Sequence, residues 1–134
     1  MSATPSSLSI GQAAERTGLS VHALRFYERA GVLATPVQRD AGGRRRYTED
    51  DLEWVALCVR LRDSGMPLAA IRAYAELVRH GTGNEKDRLT LLRRHQERVT
   101  AQIGELTQCL ELISWKVRLY EERLASDTAD PLWP

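Results

Sequence analysis

LSIGQAAERTGLSVHALRFYERAGVL, residues 8–33, fits two short helical patterns around one tight turn. Ser9 to Gln12 has the Ser-x-x-Gln form, in which the first side chain caps a helix and the fourth reaches back to the cap backbone. Ile10, Ala13 and Ala14 then recur at helical spacing until Gly18 ends the run. Ser20 caps a second helix carrying Val21, Leu24 and Tyr27 or Glu28, which stops at Gly31. Two such helices joined at Thr17-Gly-Leu-Ser20 predict a helix-turn-helix.

Downstream the pattern changes. Pro36, Asp40, Gly42 and Gly43 supply turn chemistry between two extended pieces, Val32 to Gln38 and Arg44 to Tyr47, so a small β-hairpin wing is expected. Thr48-Glu-Asp-Asp51 opens a third helix, Leu52 to Ser64, apolar nearly all round and so expected to be buried. Gly65 stops it, and Pro67 starts a fourth, to about Arg79. After a break at His80 to Asn84, with Asn84 placed to cap, comes the longest periodic signal. Leu89, Leu92, Gln96, Val99, Ile103, Leu106, Leu110, Ile113, Val117, Tyr120 and Leu124 alternate three and four apart, which is a heptad seam. At 1.5 Å per residue that helix is ~60 Å long, too long for a small head to bury. A second copy of the chain is the simplest partner.

The expected architecture is therefore mainly α. A winged helix-turn-helix head spans 8–80 and a coiled-coil dimerisation helix spans 84–124. Residues 1–7 form a disordered start and 125–134 a short tail. The chain has 134 residues, 43% hydrophobic and 28% charged, ordinary for one folded domain with an appendage. No apolar run approaches ~18 residues and the start lacks a secretory pattern, so no membrane partner and a cytoplasmic location are expected. Cys58 and Cys109 stand alone, which excludes a disulfide framework and a multi-cysteine zinc module; no cofactor or metal is expected. No paired carboxylates, nucleophile–base pair or phosphate loop suggests an enzyme.

The net charge of +1 hides an asymmetry. Between residues 16 and 46 stand Arg16, Arg25, Arg29, Arg39, Arg44, Arg45 and Arg46 against only Glu28 and Asp40. Clustered arginines on a helix-turn-helix are the electrostatic footprint of phosphate contact. The candidate DNA-binding residues are Ser20, His22, Arg25 and Tyr27 on the second helix, Arg44, Arg45 and Tyr47 on the wing, and Arg62 beyond it. Arg25 suits a guanine edge and Tyr27 a phosphate oxygen. The competing assignment for any one arginine is a surface ion pair with Glu28, Glu49 or Asp50. The candidate dimer seam is Val99, Ile103, Leu106, Leu110, Ile113 and Val117.

Residues 8–78 resemble the MerR family of transcriptional regulators. The stretch above and RRRYTEDDLEWVALCVRLRDSGMPLAAI, residues 44–71, carry the likeness, and Leu24-Arg-Phe-Tyr-Glu28 followed by Gly31 is its most specific part. Where the family shows Gly-Tyr-Arg at the wing tip, this chain has Gly43-Arg44-Arg45. The resemblance implies an antiparallel dimerisation coil and a homodimer on palindromic double-stranded promoter DNA. It also implies activation by bending and untwisting an overlong spacer, so that RNA polymerase is reached only through the DNA. Half-sites would lie some multiple of ~34 Å apart.

The signal is less legible. Metal-sensing relatives place cysteines before and after the dimer helix, and neither place has one here. The nearest subgroup is the aldehyde- and thiol-stress-responsive one, on Arg62-Asp-Ser-Gly-Met-Pro-Leu68 and Tyr120-Glu-Glu122. Its usual cysteine position falls on Arg60, two residues from Cys58. Cys58 is a candidate sensor thiol, against a core thiol facing Trp54 and Leu61. Trp115, Tyr120 and Trp133 are candidate walls of a pocket for a small-molecule inducer, against aromatics that merely cap the coil. Two competing readings are an effector-free architectural DNA binder and a coiled-coil interaction protein that has lost DNA binding.

Overall fold

A computed structural model describes residues 7–126, and these divide into two compact units after His95. The stretch 1–6 and the tail 127–134, Trp133 included, lie outside the described residues. The elements in order are β1 (Leu8–Ser9), α1 (Ile10–Thr17), α2 (Val21–Arg29), β2 (Gln38–Arg39), β3 (Arg45–Tyr47), α3 (Glu49–Asp63), α4 (Leu68–Arg79) and α5 (Glu85–Ser126).

The predicted caps form. The Ser9 hydroxyl accepts from Gln12 N at 3.2 Å while the Gln12 side chain accepts from Ser9 N at 2.9 Å. Thr48 and Asp51 repeat the reciprocal pair at the start of α3, and Ser20 accepts from Ala23 N at 3.0 Å. Such bonds satisfy amides that the first helical turn leaves orphaned. Gly18 takes φ +74°, the left-handed cap that lets α1 end and α2 begin three residues later.

Two small cores hold the first unit. Ala13, Leu24, Leu33, Val37, Tyr47, Leu52 and Val55 form one; Val32, Cys58, Met66 and Ile71 form the other. Trp54 bridges them. Its indole N–H donates to the Val32 carbonyl at 2.7 Å, and its ring stacks on Tyr74 at 5.5 Å.

Four expectations need correction. The segment from Val32 is not a strand up to Gln38. Val32, Leu33 and Val37 are core residues of an irregular link, and only Gln38–Arg39 pairs with β3. The sheet instead gains β1, giving an antiparallel order β1-β3-β2 with Leu8 opposite Tyr47. Ser7, expected to be disordered, is held by Arg46, whose guanidinium donates to the Ser7 carbonyl at 2.6 Å and hydroxyl at 3.0 Å. Helix α3 is buried on one side only: Leu52, Val55 and Cys58 are inside, whereas Glu53, Leu57, Arg60 and Arg62 are exposed. Asn84 spends its side chain elsewhere, donating to the Leu77 carbonyl at 2.8 Å and accepting from Arg88 at 2.7 Å. The end of α4 needs donors for its last carbonyls, and the Asn84 amide supplies one of them.

Arginines of α4 serve the same end for α2. Arg72 donates to the Ala30 carbonyl at 2.7 Å, and Arg79 to Leu33 at 2.5 Å and Gly31 at 3.3 Å. At the unit's far limit, His95 is buried and hydrogen-bonds Ser64 at 2.7 Å.

The second unit is helix from Gln96 to Ser126. Ile103, Leu106, Leu110, Ile113, Val117 and Leu124 are all exposed, with Leu106 at 69% of its full surface, and Val99 is half-buried. Six large aliphatic side chains at heptad spacing would not remain in water in a stable soluble helix.

Candidate nucleic-acid interface

Helix α2 is amphipathic in an instructive way. Leu24 is buried, Val21, Tyr27 and Glu28 are half-buried, and His22, Arg25, Phe26 and Arg29 form the outward face. Positions 22, 25, 26 and 29 lie at i, i+3, i+4 and i+7, so a single stripe meets solvent. Sequence reading named His22 and Arg25 but passed over Phe26 and Arg29. The helical spacing from His22 contained the missing pair.

The wing tip winds around one carboxylate. Asp40 accepts from Gly42 N at 2.9 Å and Arg44 N at 3.0 Å, and its carbonyl accepts from Gly43 N at 2.9 Å, with Gly43 at φ +77°. A side chain other than glycine would be strained at that angle. The turn leaves Arg44 exposed. Arg45 is different: its Nε donates to Glu28 of α2 at 2.5 Å, and Arg39 lies 3.7 Å from the same carboxylate. Arg16 pairs with Glu49 at 2.8 Å. Three of the arginines, Arg16, Arg39 and Arg45, thus take the ion-pair alternative.

Tyr47 is not a surface residue. It is fully buried in the first core, and its hydroxyl has no hydrogen-bond partner. The period of the strand decides this. Arg45 and Tyr47 share one face of β3, and that face meets α2 and the core. Burial raises the Tyr47 phenol above its ordinary pKa, with the Glu28 charge adding to the effect. Tyr27 is half-buried against both cores. Its phenol is also raised, first by burial and then by Cys58, with Arg62 opposing. The fold therefore brings Tyr27 into the electrostatic neighbourhood of Arg62 and keeps the phenol a donor. Arg62 and Ser20 are exposed.

The candidate signal receptors differ in their surroundings. Cys58 has no exposed surface, its thiol lies 3.5 Å from the Val32 carbonyl, and burial pushes its pKa up to about 11. From the ordinary thiol value of 9.0, that leaves about 100-fold less thiolate. Native protein treated with iodoacetamide at pH 7.5 is expected to label at the exposed Cys109 and not at Cys58. Peptide mass spectrometry after a short pulse checks this, and early Cys58 modification would restore it as a sensor. Trp115 and Tyr120 do not meet. Tyr120 lines an apolar hollow with Leu112, Ile113, Val117 and Leu124, whereas Trp115 lies outside it with the Lys116 ammonium 5.4 Å from its ring. Five residues turn a helix through about 140°, so the two rings stand on different sides of α5.

An amphipathic second helix beside an arginine-tipped wing is the arrangement that helix-turn-helix proteins present to DNA. The family described as "MerR HTH family regulatory protein" matches residues 8–77, and a second, described as "MerR, DNA binding", matches residues 52–114. The chain belongs to the MerR family. An uncharacterized HTH-type transcriptional regulator of Haemophilus influenzae is 38% identical over 114 residues, covering 85% of this chain and 84% of the relative. Among solved structures, HiNmlR, a MerR family regulator lacking the sensor domain and bound to promoter DNA, is 36% identical. It superposes with a TM-score of 0.79 over 90% of this chain and 94% of that one. A MerR family regulator from Listeria monocytogenes gives a TM-score of 0.85 at 28% identity, covering 90% of each. This MerR protein is a DNA-binding transcriptional regulator. Its winged helix-turn-helix positions the arginine-bearing stripe of α2, and α5 is its long C-terminal helix.

Proposed function

We propose that the chain acts as a homodimer that reads a palindromic promoter and activates transcription by distorting the spacer, binding without catalysing any reaction. The observation that carries the reading is the exposed heptad stripe of α5 in a chain whose head offers an open arginine face. A seam that long is satisfied by a second copy, and two heads make a symmetric reader of two half-sites. The promoter-bound structure of HiNmlR supports the DNA face. Exposed His22, Arg25, Phe26 and Arg29 would read or brace the major groove, with Arg44, Tyr27 and Arg62 on phosphates. RNA polymerase is reached through the bent DNA, and the work is done in the cytoplasm.

The test is direct. Sedimentation equilibrium without DNA should return twice the chain mass, and circularly permuted promoter fragments should show a bend centred on the palindrome. A single subunit with straight DNA would end this reading. Arg25→Ala is expected to weaken operator binding by about 1–3 kcal/mol and to relax base preference at one position per half-site. Competition binding with single-base operator variants measures this, and an unchanged preference profile would remove Arg25 from base readout.

A second reading is favoured by the buried Cys58: the protein bends DNA constitutively, with no inducer. In vitro transcription from the bound promoter with no small molecule added separates the two readings. Full activity at once supports the constitutive one.

A further inference from the structure

The register of the wing sets a problem that one acidic side chain solves. Arg39 of β2 stands directly opposite Arg45 of β3. Like charges facing each other across a strand pair destabilise it. Glu28 of α2 lies between them, one carboxylate oxygen taking Arg45 Nε at 2.5 Å and the other 3.7 Å from Arg39. The carboxylate and Arg45 each keep only 23% of their side-chain surface, so this pair is screened far less than a surface pair. Arg39 continues the chain of contacts, donating to the Gly43 carbonyl at 3.0 Å in the turn that presents Arg44. From Glu28 to the wing tip there is thus an unbroken polar path.

Glu28 also sits on the helix that carries Arg25, one turn along. A carboxylate beside a phosphate-binding face is electrostatically unfavourable for DNA binding. Holding two wing arginines to α2 gives it a function that outweighs the repulsion.

We propose that Glu28 is a positioning residue for DNA recognition: it fixes the wing on α2 by gripping Arg39 and Arg45, and so sets where Arg44 meets the backbone relative to Arg25. Arg45 belongs to this brace and makes no phosphate contact. The proposal rests on the DNA-binding reading above and deepens it.

The test uses the full chain and two probes: the best duplex recovered by selection from a random 40-base-pair pool, and a scrambled duplex of the same composition. Glu28→Gln keeps the side chain's size and removes its charge. Its affinity for the selected duplex should fall about 10-fold or more, while the scrambled duplex binds as well or better because a negative charge is gone. Glu28→Asp should recover part of the loss. Arg45→Gln should reproduce the loss without changing the slope of log affinity against log salt. Arg44→Gln should lower that slope by about 0.9, the value of one phosphate contact. The Glu28→Gln/Arg45→Gln double variant should lose no more than either single one.

Three results overturn the proposal. Glu28→Gln could tighten binding to both duplexes equally, which makes it a passive charge. Arg45→Gln could lower the salt slope by about 0.9, which makes Arg45 a phosphate contact. Equal losses on both duplexes, tracking a lower melting temperature, would make the pair merely structural. Failure of the unaltered protein to enrich any duplex would instead overturn the DNA reading itself, and the brace with it.

Discussion

Leu110→Asp combined with Ile113→Asp is expected to convert the protein to single subunits and to lower operator affinity by about 10³-fold or more. Both side chains are exposed on the heptad stripe of α5, so neither holds a core of its own chain together. Charges placed on the seam would be desolvated against apolar neighbours in a dimer, at a cost no ordinary two-helix interface recovers. Losing the second head removes half the contacts. It returns binding to the range of non-specific association, 10³-fold or more weaker than specific complexes. Sedimentation equilibrium and a mobility shift on the same sample read the two effects. The first-unit core contains neither residue, so near-ultraviolet absorption changes from Trp54 and Tyr74 should persist. A variant that still sediments as a dimer would show that α5 pairs through another face.

The second large effect falls on Tyr47. Tyr47→Ala is expected to destabilise the head by about 3–5 kcal/mol, the usual cost of emptying an aromatic site in a core. Tyr47→Phe should be neutral or slightly stabilising, because the hydroxyl it removes is buried without a partner. Chemical denaturation of both variants measures the difference. The Phe variant should also bind DNA as tightly as the parent. Weaker binding by that variant, with stability intact, would put the hydroxyl back on a phosphate.

The helices were legible in the sequence because their signals are local. Ser9, Ser20 and Thr48 announce helix starts through bonds spanning three residues, and Gly18 announces a stop through its own φ. The α5 helix was legible because a strict repeat over eleven positions has few other readings. The wing was only partly legible. Strand β1 is two residues long, and its existence depends on partners 37 and 39 positions away, so no local pattern could reveal it. The inside and outside of β3 depend on the same tertiary fact. Arg45 and Tyr47 have the chemistry of DNA contacts, and only the docking of the strand on α2 shows that both point inward. Glu28 was visible as a possible partner for arginines, but which arginines it takes follows from the cross-strand register. Cys58 was readable from its apolar neighbours on α3, and packing decides it.

His95 is the last buried side chain among the described residues of α5, and the thirty-one residues from Gln96 to Ser126 hold no other. A helix without tertiary support is marginal in water and frays readily. On the dimer reading, a subunit separated from its mate therefore offers proteases an unwinding, arginine-bearing segment, while a paired subunit conceals it. The lifetime of the polypeptide would then rise with its own abundance: scarce copies are cleared and plentiful ones persist.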